Sequence, residues 1–450
     1  MKDAAKLMKD ATTLTTKLRR ILFALCVAVC LFAPAPLSPS RLAVRADAPG
    51  AEYAATREGR LRVFDEVWEQ VRLRYFDPEM RGVDWQEMRR ELRPRAADAR
   101  GEAELYALLR RMLGHLRDPH TRVYAPGEGD DWRVQHYVSA GLAVRELRGR
   151  FVVTDVERDS EASRAGLRAG DEVLRVGSET VAAIVERALA EQGAEDSRSA
   201  RLVAVSHLFD GPQGTSVNIT FARPGETRER QAFLTRGQRT RLPSFEVRGA
   251  GRGVRVVRFN IFTPEVAAQF ARALGDELKG ARAVVIDLRD NGGGEADAMA
   301  DLASTLLPAG LSLGRFTDRA GAVRLEPYTR AALLSSAESL RRFAGPLVLL
   351  TGARTASAAE VFAASLRETN RAAVIGETTC GCVLGIRRRH PLPDGGVLDV
   401  SELDYHTAAG TRLEGTGLRP DVTVEPTRED LRRRRDPALE RALEILKDVK

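Results

Sequence analysis

Along residues 60–116 apolar positions return every third or fourth residue. Val63, Val67, Trp68 and Val71 form one set, and Leu105, Leu108, Leu109, Met112 and Leu113 another, with charges between them. This period predicts amphipathic helices, packed around Trp68, Tyr75, Phe76 and Trp85 as a helical cap over residues 60–125. Within Asp118-Pro119-His120-Thr121 the proline ends the helical stretch, and Asp118 is suited to cap or turn the chain. From residue 240 the pattern changes. Strands are predicted at 254–259, at the fully apolar run 283–288 and at 347–351, with helical periods over 264–278 and 358–366. Such a β-α-β rhythm predicts an α/β domain over residues 240–426 with a sheet covered on both faces. Residues 153–156 and the alternating run 214–221 predict strands of a separate module between cap and sheet. In residues 427–450 the positions Leu439, Leu443 and Leu446 form one stripe, expected to dock on the chain's own body or on a second subunit.

The N-terminus adds a destination. A basic stretch ending in Lys17, Arg19 and Arg20 precedes an apolar run over 21–33, then Pro34, Pro36 and Pro39, then Val44-Arg45-Ala46 before Asp47. That order predicts a signal peptide over residues 1–46 and an exported, periplasmic or extracellular protein. Membrane association through an uncleaved segment is the alternative. The formal charge of +7 is concentrated here: residues 1–46 hold eight Lys/Arg against two Asp, leaving +1 for the rest. No nucleic-acid footprint follows. Beyond residue 46 the only lysines are Lys279, Lys447 and Lys450, and the only cysteines are Cys380 and Cys382. An oxidising compartment would allow these two to pair. No cofactor or metal is expected.

Three segments over residues 136–225 resemble a PDZ domain. Gly141-Leu142-Ala143-Val144 occupies the place of the carboxylate-capturing loop, and Ser160-Glu161-Ala162-Ser163-Arg164-Ala165-Gly166-Leu167-Arg168-Ala169-Gly170-Asp171 matches the module's core signature. The resemblance implies that Gly141, Leu142, Ala143 and Val144 hold a peptide's terminal carboxylate while the tail adds to the sheet as a strand. The partners it implies are proteins or peptides with exposed C-termini.

The sheet region resembles the C-terminal processing peptidases, the tail-specific serine proteases that carry a PDZ module. Asp287-Leu288-Arg289-Asp290-Asn291-Gly292-Gly293-Gly294 is similar to the family's strand and glycine loop. Thr355-Ala356-Ser357-Ala358-Ala359-Glu360 is similar to its nucleophile segment, and Gly376-Glu377-Thr378-Thr379-Cys380-Gly381-Cys382 to the segment that supplies its base. By resemblance Ser357 is the nucleophile, and the Gly293 and Ala358 amides form the oxyanion hole. Read from residue types alone, Ser357 with Glu360 three positions on is a helix capping box. Two departures stand out. Cys382 occupies the family's lysine position, and Ile386 stands where a glutamine often steadies that lysine. A neutral thiol is no base. Relatives such as tricorn protease use histidine, and the matching position here is His120, an imidazole being suited to proton transfer near neutrality. His390 and His406 are weaker candidates, and any lysine serving from elsewhere in the body would be Lys279. Three readings stay open: an active serine endopeptidase, an inactive PDZ-containing scaffold that binds tails, and activity gated by the redox state of Cys380 and Cys382. Homo-oligomerisation is also open.

Overall fold

A computed structural model of the protein describes residues 51–128, 133–191, 197–331 and 342–447. The leader expected over residues 1–46 lies outside them. Among the described residues no helix is long and apolar enough to cross a membrane.

The centre is a six-stranded sheet in the order Phe245–Gly249, Val254–Phe259, Ala283–Asp287, Leu347–Thr351, Ala373–Gly376 and Val422–Thr423. The first pair is antiparallel and the others are parallel. Successive side chains on a strand face opposite ways, and each way is covered here. Val284, Ile286 and Leu349 pack under the helices Pro264–Gly275, Ala296–Ser304 and Ala358–Glu368. Val285, Val348 and Leu350 pack against Leu439, Ala442 and Leu446 of the helix Pro437–Lys447. The C-terminal stripe therefore docks on the chain's own sheet.

At the N-terminal side, the helices Arg57–Arg74, Trp85–Ala97 and Glu102–Gly114 enclose one apolar cluster with Leu392, Leu398 and Val400. Thr56 caps the first of them by accepting from the Gly59 N–H at 3.0 Å. Leu398 and Val400 belong to Val397–His406, the long strand of a second sheet with Arg122–Tyr124, Gly385–Pro391, Arg315–Thr317 and Val323–Leu325. The cap is thus sealed by a strand nearly three hundred residues away. Arg387 and Arg388 are exposed on Gly385–Pro391, whereas Arg389 pairs with Asp399 at 3.0 Å.

A third sheet holds Leu142–Leu147, Arg150–Val156, Glu172–Val176, Ser216–Ala222 and Glu229–Thr235 in that order. The last strand extends this module past residue 225, because Ala232 and Leu234 alternate inward with exposed Phe233. Leu142–Leu147 is an open edge, flanked by the helix Arg198–Ser206. A two-stranded ribbon, Gln135–Ser139 with Gly237–Arg241, leads into and out of the module.

Candidate active site

Parallel sheets present their working loops at the carboxyl ends of the strands, and two such loops meet here. The turn after Leu347–Thr351 is tied down by Thr355, whose hydroxyl donates to the Leu288 carbonyl at 2.7 Å and accepts from the Gly352 N–H at 3.0 Å. Ser357 follows with φ 56° and ψ −127°, immediately before the helix Ala358–Glu368. A non-glycine residue in this region costs about 1–3 kcal/mol and persists only where its surroundings over-determine it. Such a sharp strand-to-helix turn pushes a serine hydroxyl outward. The surroundings are identifiable: the Ser357 N–H donates to the Cys382 carbonyl at 2.7 Å and to the Glu360 carboxylate at 3.2 Å. The Glu360 N–H goes to the Ser357 carbonyl at 2.8 Å. Glu360 thus supplies the carboxylate half of the expected capping box.

The glycine loop lies against this turn. A Cβ on Gly293, whose φ is 103°, would stand 2.6 Å from the Ser357 Cβ and 3.0 Å from the Ala358 nitrogen. Only glycine fits. Ala358 carries one of the helix's first-turn amides, which have no intrahelical acceptor. The Gly293 amide was expected to stand free, but its N–H donates to the Asn291 Oδ1 at 2.9 Å. Asn291 is fully buried and is itself fixed by its own Nδ2 on the Phe259 carbonyl at 3.1 Å. Asn291 was quoted in the loop motif, yet its part was not read from it, since an Asn before glycines ordinarily marks a turn.

Glu360 is 0 % exposed and receives four donors: the N–H groups of Ser357, Gly381 and Cys382 and the Thr379 hydroxyl. Burial pushes its carboxyl up to about 7, against the pull of the bonds from Thr379, Cys382 and Gly381. Cys380 and Cys382 form a disulfide, with Cys382 2 % exposed. The Cys380 N–H is held by the Thr355 carbonyl at 2.9 Å. Cys382, which by resemblance stands where the family has its lysine, is therefore half of a cystine one hydrogen bond from the Ser357 backbone. Closing so short a loop stabilises by about 1–2 kcal/mol in the chain-entropy picture. Replacing both cysteines by serine, or reducing the wild type with dithiothreitol, is expected to lower Tm by a few degrees in a calorimetric scan.

His120 is held by its neighbours. Asp118 accepts from the His120 N–H at 2.9 Å and from the Thr121 hydroxyl at 2.5 Å, while the Ser401 N–H donates to the Thr121 Oγ1 at 3.1 Å. Burial opposes the charge on Asp118, but these bonds and the nearby imidazole hold its carboxyl well below the usual range. The His120 Nδ1 lies 3.7 Å from the Asp118 Oδ1. A carboxylate that the sequence reading missed links this corner to the serine. Glu414, buried, accepts from Arg81 at 2.5 Å and from the Val383 N–H at 2.9 Å, and its charge interacts with both Asp118 and His120. Burial raises its pKa. Val383 follows Cys382, whose carbonyl holds Ser357, so both halves of the site meet on this segment. Glu414 directly precedes Gly415-Thr416-Gly417, and a lone glutamate at such a turn reads as surface.

The other candidates fall elsewhere. His390 is buried with its Nε2 2.8 Å from the Glu402 Oε1, and His406 ends the long strand of the second sheet. Lys279 is exposed in the turn before Ala283–Asp287, whereas the glycine loop follows that strand. It therefore stands at the wrong end of the sheet to serve Ser357. Ile386 is 38 % exposed. Leu142, Ala143 and Val144 border a cleft of about 1890 Å³ between the third sheet and the central sheet, which Leu202, Val205 and Phe209 also line. The Gly141 N–H is taken by the Ser139 Oγ at 2.9 Å. Across the cleft Arg198 donates to the Thr378 and Thr379 carbonyls at 2.6 and 2.9 Å, and Arg145 pairs with Glu377.

A serine on a strained turn after a parallel strand, beside a glycine loop and a buried glutamate, is an arrangement suited to a serine-type hydrolase. Residues 253–424 match peptidase family S41 and residues 57–114 match the Tricorn protease C1 domain. The chloroplastic C-terminal processing peptidase of Tetradesmus obliquus is 29% identical over 389 residues, covering 81% of this chain and 77% of that protein. The solved photosystem II D1 C-terminal processing protease is 26% identical with a TM-score of 0.53, over 82% of this chain and 93% of that one. Mature CPAF, 15% identical, shares the fold with a TM-score of 0.64 over 87% and 97% of the two chains. Residues 253–424 are thus a peptidase S41 domain, in a chain similar to the C-terminal processing peptidases over most of its length, and the protein is a serine-type peptidase.

Proposed function

We propose that the protein is an exported endopeptidase that grips unstructured C-terminal tails and cuts them through a Ser357 acyl-enzyme. The observation that carries this reading is the pairing of a strained Ser357 with the Ala358 first-turn amide and the Gly293 contact. The module over residues 136–225 is read as a PDZ domain. Its open edge strand Leu142–Leu147 is suited to receive a tail as an added strand, with the carboxylate at Gly141 to Val144. Residues 1–46 are read as the leader that takes the protein to the periplasm or outside the cell.

The chemistry follows from the groups present. The Ser357 Oγ attacks the scissile carbonyl carbon and its proton passes to His120. The carbonyl oxygen, now negative, takes the Ala358 N–H, and the Gly293 N–H once it exchanges Asn291 for the substrate. His120 returns the proton to the departing amine, and water releases the acyl group by the same steps in reverse order. Glu414 and Asp118 hold the histidine's corner, and Glu360 holds the serine's backbone and the 381–382 amides. His120→Ala is expected to lower kcat by about 10²–10³-fold with little change in KM, measured on a quenched fluorescent tail substrate. An unchanged kcat would remove His120 from the reaction.

The second reading is a scaffold that binds tails without cutting, and the cystine in the lysine position favours it. Incubating wild type with an unfolded protein ending in an apolar tail, and analysing fragments by mass spectrometry, separates the two. Endoproteolytic fragments are expected. Intact substrate with tail binding retained would leave the scaffold.

A further inference from the structure

We infer that Arg241 and Arg354 form a subsite for a carboxylate of the substrate tail, so that the enzyme selects acidic tails. This deepens the proposed function and rests on it.

Three guanidiniums gather around one carboxylate beside the nucleophile's turn. Arg258 donates to Asp290, and Arg241 donates to the Asp290 carbonyl at 2.9 Å. Arg354 is exposed, interacts with Asp290 through space, and among the described residues makes no hydrogen bond or ion pair. One carboxylate cannot neutralise three cations. The excess shows in both directions: burial opposes the charge on Asp290, yet the arginines keep its carboxyl low, and burial together with the like charge of Arg354 lowers Arg241.

The placement ties this charge to substrate. Asp290 leads directly into Asn291, Gly292 and Gly293, and Arg354 stands three residues before Ser357. The two turns are packed together, since a Cβ on Gly352 would lie 3.3 Å from the Arg289 Cβ. Arg241 and Arg354 both line the cleft that Leu142, Ala143 and Val144 border. A tail running from the loop before Leu142–Leu147 to Ser357 passes these arginines. A guanidinium fork meets a carboxylate better than any neutral partner. The carboxylate is an Asp or Glu side chain of the tail, since the tail's own terminus is placed at the loop before Leu142–Leu147.

The test uses the full chain carrying Ser357→Ala and labelled unstructured peptides, read by fluorescence anisotropy. Peptides containing Glu are compared with Gln isosteres, each with a free or amidated C-terminus. About tenfold tighter binding of one carboxylate form is expected, the size of two partly exposed charge pairs. Discrimination between Glu and Gln assigns the subsite to a side chain, and discrimination between free and amidated ends that persists in the arginine variants reports the separate terminal loop. Arg241→Gln with Arg354→Gln is expected to bring the ratio to about one, while Arg241→Lys with Arg354→Lys restores part of it, with circular dichroism checking the fold of both. Equal binding of all four peptides, no binding of any, or a ratio unchanged in the glutamine variant would overturn the subsite. Because binding is read without chemistry, a wild type that never cuts but discriminates would defeat the peptidase reading and leave the subsite standing.

Discussion

Ser357→Ala is expected to lower cleavage of an unstructured tail substrate by about 10⁴-fold or more, with the fold and tail binding retained. Alanine has the same backbone constraints as serine at φ 56°, so the strained turn and its bonds to Cys382 and Glu360 remain in place. What is removed is the hydroxyl proposed to form an ester with the substrate, while the Thr355 hydroxyl at the same turn is buried and engaged with Leu288 and Gly352. Residual rate then comes from the oxyanion donors and binding alone, the pattern seen when a nucleophile is removed from an intact site. Single-turnover kinetics and labelling by a serine-reactive fluorophosphonate check this. A loss of less than tenfold would mean that another group attacks.

The second large effect concerns stability. Glu360→Leu is expected to destabilise the protein by about 3–5 kcal/mol, measured as a lowered denaturant midpoint. The leucine would fill the space but strand the Gly381 and Cys382 amides, and leave the Thr379 hydroxyl without its acceptor, at about 1–3 kcal/mol for each buried group. The pH dependence has a defined sign. Burial raises the folded-state carboxyl from 4.5 to about 7, so the protonated form is favoured by folding. Its contribution is fully present below pH 4.5 and is lost as the pH rises through 7. The leucine variant should lack that part of the slope, and an identical slope would exclude Glu360 as its source.

The central sheet was legible because its strands are buried on both faces. A run such as Ala283–Asp287 leaves few other readings, and Leu347–Thr351 and the helix at Ala358 lie where their periods place them. The second sheet was not. Gly385–Pro391 is polar and bulged, and Arg315–Thr317 is three residues long, so neither shows a period. The turn that carries Ser357 is local in sequence and so was legible, whereas Ser401 and Glu414 join Asp118 around His120 only through the fold. The pairing of Cys380 with Cys382 was open because spacing alone does not fix sulfur geometry.

The unpaired strand Leu142–Leu147 carries a cost that has nothing to do with catalysis. An edge open to a substrate tail is open to any extended chain, including another copy of the same protein, and such edges seed aggregation. The strand and its turn carry Arg145, Glu146, Arg148 and Arg150, and alternate charges of this kind discourage a flat, hydrophobic partner while tolerating a flexible one. With tails added at this strand as proposed, colloidal solubility and substrate capture are set by the same short segment, and a change that makes it stickier for one makes it stickier for all.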